Sequence, residues 1–165
     1  MLPTRLLYVG SHLGEFVRLY VPKLGERGRY LTLSYCWGKD GHKARTTDST
    51  LEEYEKGIPW EILPKTIQDA ITVARIMGFR YLWVGGLCIK QADKPGDYSE
   101  DWDKESSQVA QYCRESVFTI AATSAEDCHQ GLFLEESELC WTIPQFPIYF
   151  KVSNSEEQSF DGYLY

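Results

Sequence analysis

A single carboxylate stands in a row of otherwise uncharged residues near position 105. The row steps by three or four positions, as neighbours on one face of an α-helix do, and consists of Trp102, Glu105, Val109, Tyr112 and Ser116. A carboxylate shielded from water beside aromatic rings can act as a general acid or stabilise a positive charge. The alternative is structural, because acidic residues in the first turn of a helix complement the helix dipole. The spacing therefore makes Glu105 a candidate catalytic residue and leaves a helix-end role open.

Glycine, aromatic and hydroxyl residues also follow three predicted strands. Ligands bind beyond the carboxyl ends of the strands in an open parallel sheet, and glycine there lets a ligand approach the backbone closely. The alternative is that these glycines only make turns. The three predicted strand ends carry Ser34, Tyr35, Cys36, Trp37 and Gly38, then Gly85, Gly86, Leu87 and Cys88, and finally Ala122, Thr123 and Ser124.

The elements that would position these residues alternate between strand and helix. Residues 6–9 and 16–21 are predicted to form a β-hairpin. Further strands are predicted over residues 30–35, 81–84, 117–122 and 148–152. Those over 81–84 and 117–122 are expected to be buried. The order favours an α/β fold of three layers with a mostly parallel central sheet and additional β-hairpin elements.

Two helices connect the predicted strands. The first begins near Pro64 and stops at Gly78, because it carries an apolar stripe of Ile67, Ala70, Ile71, Ala74 and Met77. Thr66 and Asp69 resemble a capping pair at its start. The second helix is predicted over residues 101–115 and carries the row that contains Glu105.

Composition excludes several classes of partner. The 165 residues carry a net charge of −7 and the sequence pI is about 5.0, which argues against nucleic acid or an anionic membrane as the main partner. No stretch approaches the ~20 apolar residues of a membrane span. The five cysteines include no CxxC pair, so we expect reduced cysteines in a cytoplasmic protein and no metal site.

Six segments, in order, resemble the motifs of fungal heterokaryon incompatibility (HET) domains. The likeness covers residues 5 to 133. The motifs are YLTLSYCWG at 30–38, GI at 57–58 with LPKTIQDAI at 63–71, RYLWV at 80–84 with LCI and Gln91, Asp101-Trp102 with Glu105, TIAA at 119–122, and GLF at 131–133.

The resemblance implies a cell-death effector domain of heterokaryon incompatibility and fungal innate immunity. Such domains usually sit beside NACHT-type or other sensor regions, so residues 1–165 are expected to be one HET domain within a larger protein that self-associates on activation. The family is distantly similar to Toll/interleukin receptor (TIR) domains, which have a flavodoxin-like α/β fold. Enzymatic TIR domains cleave NAD+ between nicotinamide and ribose, and their catalytic glutamate corresponds to Glu105, three residues after a tryptophan.

The same comparison implies a site but also a departure from the family pattern. NAD+ would be a substrate, with no prosthetic group, and its pocket would be formed by Ser34, Tyr35, Trp37, Gly38, Gly85 and Trp102. The third HET motif usually has Asp then Ser after its strand, where this chain has Gly85 and Gly86. Two hypotheses therefore remain. Glu105 favours an NAD+-cleaving enzyme, whereas Gly85 favours a non-enzymatic signalling and oligomerisation module.

Overall fold

A five-stranded mixed sheet forms the centre of the domain. The structure is a computed structural model that describes residues 1–39, 43–94, 97 and 99–133. Within them the sheet has the order β2-β1-β4-β3-β5. The strands are β1 (Leu6–Tyr8), β2 (Arg18–Tyr20), β3 (Leu31–Ser34), β4 (Tyr81–Val84) and β5 (Thr119–Ala121). The predicted strand at 148–152 lies outside the described residues.

The pairing of the strands confirms the hairpin and corrects the expectation of a mostly parallel sheet. β3 pairs in parallel with both β4 and β5. β1 pairs antiparallel with β2, as predicted, and also antiparallel with β4. The hairpin is thus part of the central sheet, and its two antiparallel pairings equal the parallel ones in number. The fold is α/β with a mixed sheet.

The last described strand lies at an edge of the sheet. β5 was expected to be a buried strand over residues 117–122, and that expectation is wrong. The strand is three residues long, and the side chains of Thr119 and Ala121 are exposed. Within the described chain β5 pairs only with β3, so it lacks a second neighbour that would cover its outer side.

Five helices and one 3₁₀ turn accompany the sheet in the described residues. They are α1 (Leu51–Lys56), the 3₁₀ turn Trp60–Ile62, α2 (Lys65–Ile76), α3 (Gly85–Cys88), α4 (Glu100–Ser106) and α5 (Val109–Glu115). The apolar stripe of α2 is buried up to Ala74, whereas Met77 is 51% exposed beyond the helix end. Gly78 has a φ of +75°, a left-handed conformation that suits the predicted stop.

The start of α2 differs from the predicted capping pair. Pro64 occupies the N-cap position and no side chain caps the helix. Thr66 and Asp69 are buried and bind the backbone of residues 131 and 132 instead. Long-range contact has replaced the local cap that the spacing suggested.

The predicted helix over residues 101–115 is two helices. Ser106 and Ser107 stand at the junction of α4 and α5, and their hydroxyls donate to the carbonyl oxygens of Asp103 (3.4 Å) and Lys104 (2.7 Å). Serine hydroxyls that bond to the preceding turn compete with helix geometry and bend the chain. The predicted row is therefore interrupted after Glu105. Within α4 itself, Trp102 is 43% exposed while Glu105 is 2% exposed.

The core contains residues from β1, β2, β3 and β4. Its fully buried members include Leu6, Leu7, Leu19, Leu31 and Leu82, which pack with Ile67 and Ile71 of α2. Side chains alternate between the faces of a strand, so Trp83 lies on the opposite face of β4 from Leu82. The ring of Tyr112 in α5 contacts Trp83 at a centroid distance of 5.6 Å. No helix in the described residues has the length and apolar character needed to cross a membrane.

Candidate active site

The carboxylate of Glu105 is buried and is held by hydroxyl groups. Its Oε1 accepts a hydrogen bond from Thr4 Oγ1 at 2.9 Å, and its Oε2 accepts one from Tyr112 OH at 2.7 Å. Thr4 Oγ1 and Tyr112 OH also lie 3.4 Å from each other. In the described part of the chain Glu105 forms no ion pair. A buried acid with hydroxyl donors and no cation is rare as a purely structural element.

Sheet topology places this carboxylate at the carboxyl end of β4. Thr4 lies two residues before β1, and β1 runs antiparallel to β4 with Leu7 opposite Leu82. The start of β1 therefore lies beside the end of β4. Because Thr4 binds Glu105, the catalytic candidate lies at the sheet edge that parallel α/β folds use for ligands.

The first turn of α4 is fastened to the same edge. Arg5 forms an ion pair with Asp101 and also donates from Nε to the carbonyl oxygen of Cys88 at 2.8 Å. Asp101 accepts a further bond from the backbone N–H of Lys90 at 2.7 Å. Ser99 caps the helix by accepting from Trp102 N at 3.2 Å. These contacts fix the position of Glu105 one turn further along the helix.

Tyr112 is kept in the neutral form that can donate to Glu105. Burial raises the pKa of Tyr112, and the Glu105 carboxylate raises it further while Thr4 acts in the opposite direction. The spacing had placed Tyr112 on the same face as Glu105, and the structure brings the two together. Thr4 was missed, because it lies 101 positions from Glu105 in the chain and no local pattern connects them.

A second group of predicted residues follows β3. The rings of Tyr35 and Trp37 are stacked, with centroids 6.4 Å apart and planes inclined by 18°. Burial raises the pKa of Tyr35, and the thiols of Cys128 and Cys88 add to the effect. Ser34 is exposed, and its carbonyl oxygen accepts from Ala122 N at 2.9 Å. This group provides a flat aromatic surface at the same sheet edge.

Cys88 connects the two groups electrostatically. Its thiol is buried, and burial raises its pKa to about 12. The charges of Arg5 and Glu105 both act on it, and Cys88 in turn acts on Tyr35. The predicted residues therefore share one end of the sheet, in two clusters that flank α3.

Gly38 contacts protein rather than empty space. It has a φ of +78°, and a Cβ built on it would lie 2.6 Å from Cβ of Asp127. Asp127 belongs to residues 125–132, which we call the closing segment. Gly38 is therefore a packing site for the closing segment, and the interpretation of Gly38 as a ligand-facing glycine receives no support from this contact.

The closing segment docks on the first turns of α2. Thr66 N donates to the carbonyl oxygen of Cys128 at 3.1 Å, and Gly131 N donates to Thr66 Oγ1 at 3.1 Å. Leu132 N donates to Asp69 Oδ2 at 2.9 Å. Asp69 is buried and also forms an ion pair with Lys65. These contacts give a structural reason for the Thr66 and Asp69 positions of the second motif.

Gly85 leaves room for a side chain. It is the first residue of α3, a short helix where the sequence suggested a turn. A Cβ built on Gly85 would lie 3.5 Å from Cη2 of Trp83, which is ordinary van der Waals contact. A residue at this position would therefore project beside Trp83, whose ring also contacts Tyr112 next to Glu105.

An open polar groove of about 600 Å³ runs past the first turn of α4. Glu105 is not among its lining residues, which are Asp48, Lys90, Gln91, Ala92, Asp93, Asp97, Ser99, Glu100, Asp101 and Lys104. In the described ranges no group of three or more His, Cys, Asp or Glu side chains is arranged to hold a metal ion. The groove thus approaches the candidate residue from the side of Asp101 without exposing it.

Comparison with protein families gives a match. The model of the Heterokaryon incompatibility protein (HET) family matches residues 30–158, which is well over half of the 165 residues. Neither the curated proteins nor the solved structures contain a match.

Proposed function

The chain belongs to the heterokaryon incompatibility family, and we propose that it is a cell-death effector domain that cleaves NAD+ into nicotinamide and ADP-ribose. Glu105 is the proposed catalytic residue. The observation that supports this most is its carboxylate, which is 2% exposed, carries no paired cation in the described residues and lies at the carboxyl end of β4. We expect the domain to act in the cytoplasm.

The burial of Glu105 favours a functional role on energetic grounds. Taking a carboxylate out of water costs several kcal/mol unless a cation or several strong donors compensate. Glu105 has two hydroxyl donors, from Thr4 and Tyr112. An apolar residue at this position would avoid the cost of desolvation.

In the proposed reaction, hydroxyl groups of the substrate donate hydrogen bonds to the Glu105 carboxylate. Hydroxyl groups of the ribose are donors equivalent to those of Thr4 and Tyr112, so they can replace them at the carboxylate. The bond between the ribose C1′ and the nicotinamide nitrogen breaks, and its electron pair leaves with nicotinamide. The resulting oxocarbenium ion is stabilised by the Glu105 carboxylate. Water then adds to C1′ and loses a proton, which gives ADP-ribose.

The remaining predicted pocket residues contribute unequally to this proposal. The stacked rings of Tyr35 and Trp37 suit a planar base, and Ser34 lies exposed beside them. A Cβ at Gly85 would make ordinary van der Waals contact with Trp83, so this position accepts a side chain beside that ring. Trp102 is exposed on the outer side of α4 and would contact NAD+ only as part of an outer wall, whereas Gly38 is occupied by the closing segment.

The three-layer TIR-like arrangement is part of the proposal. It is supported by three parallel strands, β3, β4 and β5. Helix α2 connects the first two along the chain, and α4 and α5 connect the second to the third. We further propose that the domain self-associates on activation and is linked to a NACHT-type sensor in its full-length protein.

The experiment that tests the enzyme is NAD+ consumption by concentrated purified domain, with nicotinamide release followed over time. Glu105→Gln keeps the size of the side chain and can still bond to both hydroxyls, so the fold should be retained. Turnover should fall by roughly a hundredfold or more, because the charge that stabilises the transition state is lost. Asp103→Asn is the matched control, since Asp103 is an exposed acid of the same helix and does not line the groove. Equal turnover in wild type and Glu105→Gln would reject Glu105 as the catalytic residue.

A non-enzymatic signalling and oligomerisation module is the second candidate function. Two observations favour it: the Glu105 carboxylate is covered, and glycine stands at position 85 where the family motif has aspartate. Expression of wild type and Glu105→Gln in fungal cells separates the candidates. Equal killing by both proteins supports assembly without chemistry, whereas loss of killing in Glu105→Gln supports the enzyme.

A further inference from the structure

On one side, the Glu105 carboxylate is covered by a single residue, Thr4. Thr4 is exposed to solvent, and the Glu105 carboxylate that accepts its hydrogen bond is buried. Tyr112, the other partner, is half-buried and packs against Trp83. Removal of Thr4 would therefore uncover the carboxylate while the Tyr112 side remains packed.

Residues 2–5, which we call the N-terminal strap, carry this covering residue. The strap precedes β1 and is not part of the sheet, whose pairing begins at Leu6. In the described chain its one backbone–backbone hydrogen bond outside strands and helices joins Leu2 N to the carbonyl oxygen of Glu26 at 3.0 Å. Segments with few backbone hydrogen bonds open at low free-energy cost compared with the core.

Side chains supply most of the anchoring of the strap, since Pro3 is buried, Leu2 packs against the core and Arg5 makes two polar contacts. Arg5 binds Asp101 in the first turn of α4 and the carbonyl oxygen of Cys88 in α3. Asp101 lies four residues before Glu105, so the strap is fixed to the same short helix that carries the catalytic candidate. The Arg5–Asp101 pair is partly buried, with side-chain exposures of 11% and 17%.

We propose that the N-terminal strap is an autoinhibitory element that closes the Glu105 site and must move before substrate reaches the carboxylate. The inference rests on the proposed function, since it concerns access to the same residue. Opening breaks the Thr4–Glu105 hydrogen bond and separates Arg5 from Asp101. It leaves β1 and its pairing with β4 in place, because both begin after the strap. The polar groove lined by Asp101 and Lys104 lies along the same helix as the freed carboxylate.

Chemical labelling of carboxyl groups tests the strap without any turnover. The full chain is treated with a water-soluble carbodiimide and a small amine, and labelling of each acid is followed by mass spectrometry. Arg5→Ala removes the two polar contacts of Arg5, with Asp101 and with the carbonyl oxygen of Cys88. Glu105 should then be labelled roughly tenfold faster than in wild type, the effect of losing a charge-assisted hydrogen bond. Arg29→Ala is the matched control, because Arg29 is an exposed arginine that lies over the ring of Phe79. It should leave Glu105 protected.

Two other acids serve as internal references. Exposed Glu100 should be labelled rapidly in every protein, and buried Asp69 should stay protected unless the whole domain unfolds. An unchanged rate at Glu105 in Arg5→Ala, or an equal rise at Asp69, overturns the proposal. If Arg5→Ala does not fold, Thr4→Gly replaces it, since it removes the covering side chain and keeps the anchors. Protection of Glu105 in that variant equally overturns the proposal.

The strap proposal and the proposed NAD+ cleavage can be rejected independently of each other. Faster labelling of Glu105 without NAD+ turnover in either protein supports the strap and rejects the cleavage reaction. Glu105-dependent turnover with no change in labelling rejects the strap and retains the reaction. Faster labelling together with faster turnover in Arg5→Ala supports both.

Discussion

Replacement of Gly131 by alanine should strongly destabilise the domain. Gly131 has a φ of +87°, a conformation that L-residues rarely adopt. A Cβ at this position would lie 2.6 Å from Oδ2 of Asp69 and 3.0 Å from Cγ of Lys65. That oxygen of Asp69 also accepts the hydrogen bond from Leu132 N. The substitution therefore strains the backbone and displaces a buried carboxylate from its partner.

The size of the effect follows from these two contributions. A positive φ costs alanine about 1–2 kcal/mol, and restriction of the unfolded chain offsets about 0.4–1 kcal/mol of that. Loss of the hydrogen bond to the buried Asp69 costs about 1.5–3 kcal/mol, because the acceptor is charged. The expected decrease in the free energy of unfolding is about 3 kcal/mol, equivalent to a Tm lowered by roughly 10 °C for a chain of this length.

Gly25→Ala is the matched control for this measurement. Gly25 has a similar φ of +79°, but a Cβ built on it meets nothing within 4 Å. It should therefore lose about 1 kcal/mol, from backbone strain alone. Urea unfolding of wild type and both variants, followed by tryptophan fluorescence, gives the two values. Losses that agree within about 0.5 kcal/mol would show that contact with Asp69 contributes nothing, and the account of the closing segment would be wrong.

Two further predictions concern the same end of the sheet. Gly85→Asp should change the free energy of unfolding by less than about 1 kcal/mol, because its Cβ makes ordinary contact with Trp83. If the site is an enzyme limited by the missing aspartate, nicotinamide release should rise in this variant. A Tm lowered by more than about 5 °C would show that position 85 does not accept the side chain. Alkylation with iodoacetamide at pH 9 should label exposed Cys36 within minutes and leave Cys88 unmodified, because burial raises the pKa of the Cys88 thiol to about 12 and keeps it protonated. Equal labelling of both cysteines in the folded protein would show that Cys88 is accessible.

The elements that the sequence predicted well are those with a local physical cause. The stripe of α2 is periodic and apolar, so burial of Ile67 and Ile71 follows from spacing alone. The strands β3 and β4 are apolar runs between polar segments and were placed correctly to within two residues. Glu105 and Tyr112 are seven positions apart, which is two helical turns, and they are in contact even though the helix between them is broken.

The features that the sequence did not reveal depend on contacts between distant parts of the chain. Thr4 reaches Glu105 across 101 positions, and the start of α2 receives the closing segment across more than 60. The exposure of Trp102 was unexpected because the spacing placed it on the same face as Glu105. The break between α4 and α5 depends on hydroxyl bonds such as that of Ser107, a competition that spacing does not show. The mixed sheet arises because β1 pairs antiparallel with β4 as well as with its hairpin partner β2.

The separation of these contacts along the chain has a consequence for how the domain folds. The site requires Thr4 with Glu105 and Arg5 with Cys88, pairs that lie 101 and 83 positions apart. In the sheet, β3 and β5 meet through Thr32 and Thr119, which lie 87 positions apart. Contacts between distant positions slow folding, because the entropy of closing a long loop is lost before the contact stabilises the chain. During synthesis the carboxylate of Glu105 cannot find both hydroxyl partners until residue 112 has been added. The domain therefore completes its Glu105 site after most of its described sheet has already been made.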